Sequence, residues 1–220
     1  MSIAFVSGGT GYLGRPLIES LVGGGWDVRA LCRPQSIRKV PVGATVVPGN
    51  ALAAHSFVSS VPSGAVYVHL TGVAHPNASK AASFRTIDQT AFRASLQAAQ
   101  CAGVKRFVYV SVAHPAPVMR AYVAVRMECE RELLASSLDA VILRPWYVLG
   151  PGHWWPCLLS PLYTMAGWIP ALRSGALRLG LLTHRQMTAA LVHSVQNREP
   201  GVHLLDVPGI RAINSATISA

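Results

Sequence analysis

The chain has 220 residues, 51% of them hydrophobic and 13% charged, with a net charge of +10. That balance excludes a disordered chain and suffices for one sizeable domain, or one with a small appendage. No run of about 18 apolar residues lacks breakers, so no transmembrane span is expected. β-formers begin at Ile3, which leaves no room for a signal or transit peptide, and a cytoplasmic location is expected.

The positive charge is not patterned for nucleic acid. Only Arg38-Lys39 and Lys105-Arg106 are adjacent basic pairs, and no basic stripe alternates with aromatics, so no specific nucleic-acid partner is expected. Residues 140–198 contain no carboxylate, so a paired-carboxylate mechanism cannot be assembled from the C-terminal third. Cys32, Cys101, Cys129 and Cys157 form no C-x-x-C pair; free thiols fit better than disulfides or zinc, and no metal site is expected.

In chain order, Ile3-Ala4-Phe5-Val6 reads as a strand and Leu17-Ile18-Leu21-Val22 as the apolar face of a helix. Between them lies Ser7-Gly8-Gly9-Thr10-Gly11-Tyr12-Leu13-Gly14. Glycines at 8, 11 and 14 between a strand and a helix suit a dinucleotide. Gly8 permits the tight turn, Gly11 lets backbone N–H groups approach a pyrophosphate, and Gly14 lets the helix pack on the sheet. The helix N-terminus then offers unpaired N–H groups and partial positive charge.

The alternation continues. Trp26–Cys32, Thr45–Pro48, Ala65–Leu70 and Arg106–Ser111 read as strands, and Ala140–Leu143 opens another, closed by Pro145. Ser79–Ala102 reads as a helix ended by Gly103, and Met119–Ala135 as a second. The pattern predicts an α/β fold, a Rossmann-type doubly wound parallel sheet over residues 1–145. After Pro145 the texture turns aromatic and proline-broken through about Leu172, which predicts a small C-terminal substrate lobe over 146–220, packed on the first part as one unit. Within it Gln186–Gln196 reads as a helix, Val202–Asp206 as a strand, and the last ten residues as a loose tail.

The end of the second strand addresses cofactor choice. An NAD site usually places Asp or Glu there, about 20 residues beyond the glycine turn, to hold the ribose 2′-OH. Here Val28 to Pro34 carries no carboxylate, and Arg33 stands at that distance. A guanidinium there suits a 2′-phosphate, so NADP is preferred and NAD possible. The plain alternative is a loop arginine stacking on adenine.

With these residues placed, most of 1–152 resembles the short-chain dehydrogenase/reductase superfamily, its extended and atypical branch of NAD-dependent epimerase/dehydratase-like and NmrA-like proteins. The resemblance rests on Gly8 to Gly14, Val68-His69-Leu70-Thr71-Gly72-Val73-Ala74, Val108-Tyr109-Val110-Ser111, and Leu143-Arg144-Pro145 through Gly150-Pro151-Gly152. It implies cofactor contacts from Gly8, Thr10, Gly11, Tyr12, Leu13 and Gly14, adenine contact near Asn50 and Ala51 (Asn50 replacing a common Asp), and contacts from Leu70, Thr71 and Gly72 along the ribose and phosphates. Pro145 would hold the carboxamide. It further implies Ser111 as the substrate-orienting hydroxyl and Tyr122 as general acid/base.

One departure matters. The family's pair is Tyr-x-x-x-Lys, and here it reads Tyr122-Val123-Ala124-Val125-Arg126. Positions i and i+4 share a helix face, and Arg126 supplies the charge that lowers a phenol pKa otherwise near 10. The competing view makes Tyr122 a packing residue, with Arg126 paired to Glu130. Ser111 also precedes Tyr122 by only eleven residues, a short connection for the family. Trp146, Trp154 and His75 are candidate substrate contacts, although the tryptophans equally suit a core; His69 reads as a strand histidine and His114 as a loop histidine.

The expected function is hydride transfer between NADP(H) and a small carbonyl or hydroxyl substrate, apolar or aromatic. The alternatives are a silent NAD(P)-binding sensor or assembly protein and, third, a nucleotide-sugar epimerase or dehydratase. A homodimer through Ser79–Ala102 and Met119–Ala135 is a further expectation.

Overall fold

The computed structural model describes residues 2–73, 80–116, 118–150, 175 and 178–218, the last with side chains to 213. Its main sheet is built from β1 (Ile3–Ser7), β2 (Asp27–Cys32), β3 (Thr45–Pro48), β4 (Val66–His69), β5 (Arg106–Val110), β6 (Ala140–Leu143) and a seventh strand, Val202–Leu205. All pairings are parallel, in the order β3-β2-β1-β4-β5-β6 followed by the seventh. The order reverses between β1 and β4, which opens a crevice beyond their C-terminal ends. β4 and β6 are buried throughout, which explains their continuous apolar runs.

Helices cover both faces. Helix α1 (Gly14–Gly23) buries Leu17, Ile18 and Leu21 with Ala4, Val6, Val28 and Ala30 on one face. The other face takes α3 (Thr90–Ala102) and α4 (Arg120–Leu134) over a core of Phe5, Tyr67, Phe92, Phe107 and Tyr109. Gly103 ends α3 with φ of 62° and an N–H bonded back to Gln100. The helix expected from Ser79 is not uniform: a short turn α2 (Ala81–Ser83) runs into a π turn over Phe84–Gln89 before α3 begins. The wider turn carries Phe84, Asp88 and Gln89 into the interior.

The C-terminal part departs further from expectation. β7 (Tyr147–Leu149) and β8 (Leu181–Thr183) form a separate two-stranded parallel sheet, inside a stretch read as broken or left without an element. Helix α5 (His184–Gln196) begins two residues before the expected Gln186, because Thr183 and Gln186 form a capping box. β9 (Val202–Leu205) joins the main sheet beside β6. Within the stretch expected to be a loose tail, the described residues 211–218 are helical: they belong to α6 (Val207–Ile218), which buries Val207 and Ile210 completely. The spacing of Val207, Ile210 and Ile213 was the missed signal, one apolar residue per turn.

Among the described residues no helix is long and apolar enough to cross a membrane.

Candidate functional site

The site is assembled at the β1/β4 crevice. Gly8 leaves β1 with φ of 78°, and a Cβ there would stand 2.6 Å from the Leu70 carbonyl carbon. A Cβ on Gly14 would collide with the Gly8 carbonyl and with Gly9. These two glycines therefore let the turn lie flat on β4 and let α1 start beneath it. Gly11 N–H donates to Gly8 O at 3.0 Å, closing the turn, and Thr10, Gly11, Tyr12 and Leu13 lie at or near the surface. No side chain caps α1 and its first turn has no acidic residue. A helix N-terminus without a side-chain cap suits a pyrophosphate.

Across the crevice, Leu70 and Thr71 follow β4, with Gly72 exposed beside them. Thr71 Oγ1 and Ser111 Oγ are both buried without a hydrogen-bond partner. Two orphaned hydroxyls at the ends of neighbouring strands suit a polar ligand lying over them. The described residues fit a dinucleotide: a glycine turn, an uncapped helix and two buried hydroxyls without partners just past the ends of neighbouring strands.

Arg33 is exposed at the end of β2, ahead of a 3₁₀ turn over Pro34–Lys39, and no side-chain bond ties it to other described residues. Asn50 is exposed too, but its Oδ1 accepts the Leu52 N–H at 3.1 Å, so half of its amide serves a local turn. Ala51 packs partly into the core below.

Arg126 is the main surprise. It pairs not with Glu130 but with Asp88, Nη2 donating to Oδ1 at 2.6 Å, and both side chains are buried. Its Nη1 donates to Val110 O at 3.0 Å and to Tyr109 Oη at 3.3 Å. Asp88 Oδ2 also accepts the Val73 N–H at 3.1 Å, so one carboxylate fastens α4 to the loop after β4. Burial pushes the Asp88 carboxyl above its ordinary range, against the pull of Arg126. Burial opposes the charge on Arg126 as well, but Tyr122, Tyr109 and Asp88 outweigh it and the guanidinium stays protonated. No sequence motif singled out Asp88; an acidic residue in an apolar helical stretch was the available hint.

Tyr122 is half-buried on α4, edge-on to Phe84 at 5.0 Å, with the Arg126 guanidinium 5.0 Å from its ring. The tether from Arg126 to Val110 docks this helix face on the strand end that carries Ser111. Glu130, released from Arg126, bonds Arg144 and lies 3.3 Å from His114 Nε2.

Pro145 is buried and its carbonyl accepts the Ala113 N–H at 2.9 Å. Trp146 is partly buried and packs against the core on the α1 side of the sheet. His69 is a buried strand histidine, as read, and Burial and Arg126 hold it down at about 3, so it is neutral. His184 was missed: its Nε2 lies 2.9 Å from Tyr12 O and its ring 4.4 Å from the Tyr12 ring, tying α5 to the glycine turn. His75 and Trp154 lie outside the described residues. Among the described residues no three His, Cys, Asp or Glu side chains cluster to hold a metal ion.

Comparison with known proteins agrees with this geometry. A family model described as NAD(P)H-binding matches residues 8–150. The ceramide reductase of Caulobacter vibrioides is 26% identical over 211 residues, which is 95% of this chain and 65% of that protein. The photosystem II assembly factor Ycf39 of Synechocystis is 29% identical over 63% of this chain and 43% of its own length. The chain thus spans less than two thirds of either relative. Among solved structures, the Bordetella bronchiseptica enzyme WbmH in complex with NAD+ superposes with a TM-score of 0.69 at 18% identity, covering 100% of this chain and 81% of that one. That likeness concerns the fold. With the glycine turn, the sheet order and the matched segment in agreement, the chain belongs to the NAD(P)H-binding family.

Proposed function

We propose that the chain is an NADP(H)-dependent oxidoreductase acting on a small carbonyl or hydroxyl compound. The observation that carries the proposal is the docking of α4 on β5. Arg126, one turn beyond Tyr122 on α4, bonds Val110 O, the residue before Ser111, whose hydroxyl is buried without a partner; this supports a site shared by the two side chains. A bound nicotinamide would supply or accept hydride at the substrate carbon. Ser111 Oγ would donate to the substrate oxygen and fix its position. Tyr122 would give its phenolic proton to that oxygen in reduction and take it back in oxidation, with the Arg126 guanidinium 5.0 Å from its ring. Arg33, free at the end of β2, would hold the 2′-phosphate. The reductase relative supports this reading.

A second reading, a dinucleotide-binding assembly or sensor protein, is favoured by one feature. Arg126 spends Nη2 on Asp88 and Nη1 on β5, which leaves little of it for a cofactor ribose; the assembly-factor relative points the same way. One experiment separates the two. NADPH oxidation is followed with a panel of small ketones and aldehydes, for the native chain and for Tyr122→Phe, with dinucleotide affinity measured in parallel. The oxidoreductase reading predicts turnover that falls roughly 10²–10⁴-fold in the variant, the usual value of a general acid, at unchanged affinity. Equal rates in the two proteins would remove Tyr122 from the chemistry, and no turnover in either would favour the binding protein.

A further inference from the structure

A second polar feature lies beyond the C-terminal ends of β5, β6 and β9. There a cavity of about 240 Å³ opens between Ala113, His114, Arg144, Arg178 and Asp206. Pockets for drug-sized molecules run roughly 300–1,000 Å³, so this one takes a small group rather than a long chain.

Its charges are unevenly matched. Glu130 is consumed by Arg144, through Nε and Nη2, and by His114. Asp206 Oδ1 accepts the Gly209 N–H at 3.0 Å in the first turn of α6, where a carboxylate answers the helix dipole. Arg178 has neither kind of partner. Its Nε is buried without an acceptor, and it makes no ion pair with a described residue. The surrounding sequence offers none, since residues 140–198 hold no Asp or Glu. A guanidinium with a buried, unanswered N–H at the wall of a small cavity is costly unless an external acceptor fills it.

We infer that this cavity is an oxyanion site, taking the carboxylate or phosphate group of a small molecule. Arg178 is its principal ligand, and Arg144 Nη1, unused on Glu130, is the second. The cavity opens at the same end of β5 as Ser111. On the oxidoreductase reading, on which this step rests, the anion belongs to the substrate, which is then acidic rather than the purely apolar or aromatic compound the sequence suggested.

The test is calorimetric titration of the full chain with sodium phosphate and, separately, sodium acetate, each against sodium chloride of equal ionic strength. The site predicts saturable binding of at least one anion above the chloride control. Saturation by phosphate alone assigns the group to a phosphate, and by acetate alone to a carboxylate. Arg178→Gln should weaken that binding at least tenfold, with Arg178→Lys restoring part of it. Binding no stronger than chloride, or unchanged in Arg178→Gln, overturns the site; should that variant not fold, the native titration still decides. An NADPH-induced rise in thermal midpoint is measured on the same samples. Its presence without anion binding overturns the anion site alone, and anion binding without it overturns the dinucleotide reading alone.

Discussion

His69, buried in β4, takes its surroundings from three other segments. Ser95 Oγ lies 2.9 Å and Ser7 Oγ 3.2 Å from Nδ1, and Tyr67 Oη donates to Ser95 at 3.0 Å. Phe92, Phe107 and Tyr109 enclose the ring. In the unfolded chain the imidazole titrates near 6.5, and in the fold at about 3. Between those values the unfolded chain binds the extra proton, so the contribution of His69 to stability is complete above pH 6.5 and falls as pH drops, by up to about 1.4 kcal/mol per pH unit. Urea unfolding between pH 7 and 4 should show this slope in the native chain and lose it in His69→Gln. Parallel curves for the two would mean that His69 is not held neutral. The strand position of His69 is legible in the sequence but these partners are not, and the same holds for Arg126. Its helix position follows from spacing, but its partner Asp88 lies 38 residues away and is fixed by the docking of helices, which no local pattern encodes. Asn50 is the opposite case: its turn is local, and an Asn two residues before a bonded N–H is a recognisable Asx pattern.

At the scale of elements, the strands were readable because parallel strands buried on both faces are short continuous apolar runs. The ends of helices were less so. The π turn over Phe84–Gln89 has no composition signature, and α6 was hidden by Pro208 and Gly209, poor helix formers, between its buried Val207 and Ile210. The π turn has an energetic role. Through Asp88 it joins α4, by Arg126, and the loop after β4, by the Val73 N–H. Exposed pairs Arg85–Glu128 and Arg93–Glu132 bridge the same helices, and pairs of that kind contribute little. Breaking the buried pair is different, because it strands a charge in the interior. Asp88→Ala should cost roughly 3–5 kcal/mol in denaturant unfolding. A loss below about 1 kcal/mol, the value of a surface pair, would show that the carboxylate does not carry the junction.

For the whole molecule, strand order and chain return are properties of topology. The alternation of strand and helix predicted the doubly wound sheet, and the right-handed crossovers of such folds place the crevice between β1 and β4. What could not be read is that the chain returns after its aromatic stretch to add β9 beside β6, and that α5 reaches back through His184 to the glycine turn. Those contacts bring the C-terminal segment to the cofactor crevice, and they depend on distant packing. The central claim, that this crevice binds a phosphorylated dinucleotide, is tested most directly by thermal unfolding of the chain with NADPH, NADP+, NADH or NAD+. Ligand at about 100 times Kd adds roughly 2.7 kcal/mol, which for a chain of this size raises the midpoint by roughly 5–10 °C. That shift is expected for NADPH and NADP+, with smaller shifts for NADH and NAD+ and loss of the difference in Arg33→Ala. Unchanged midpoints with all four would contradict it.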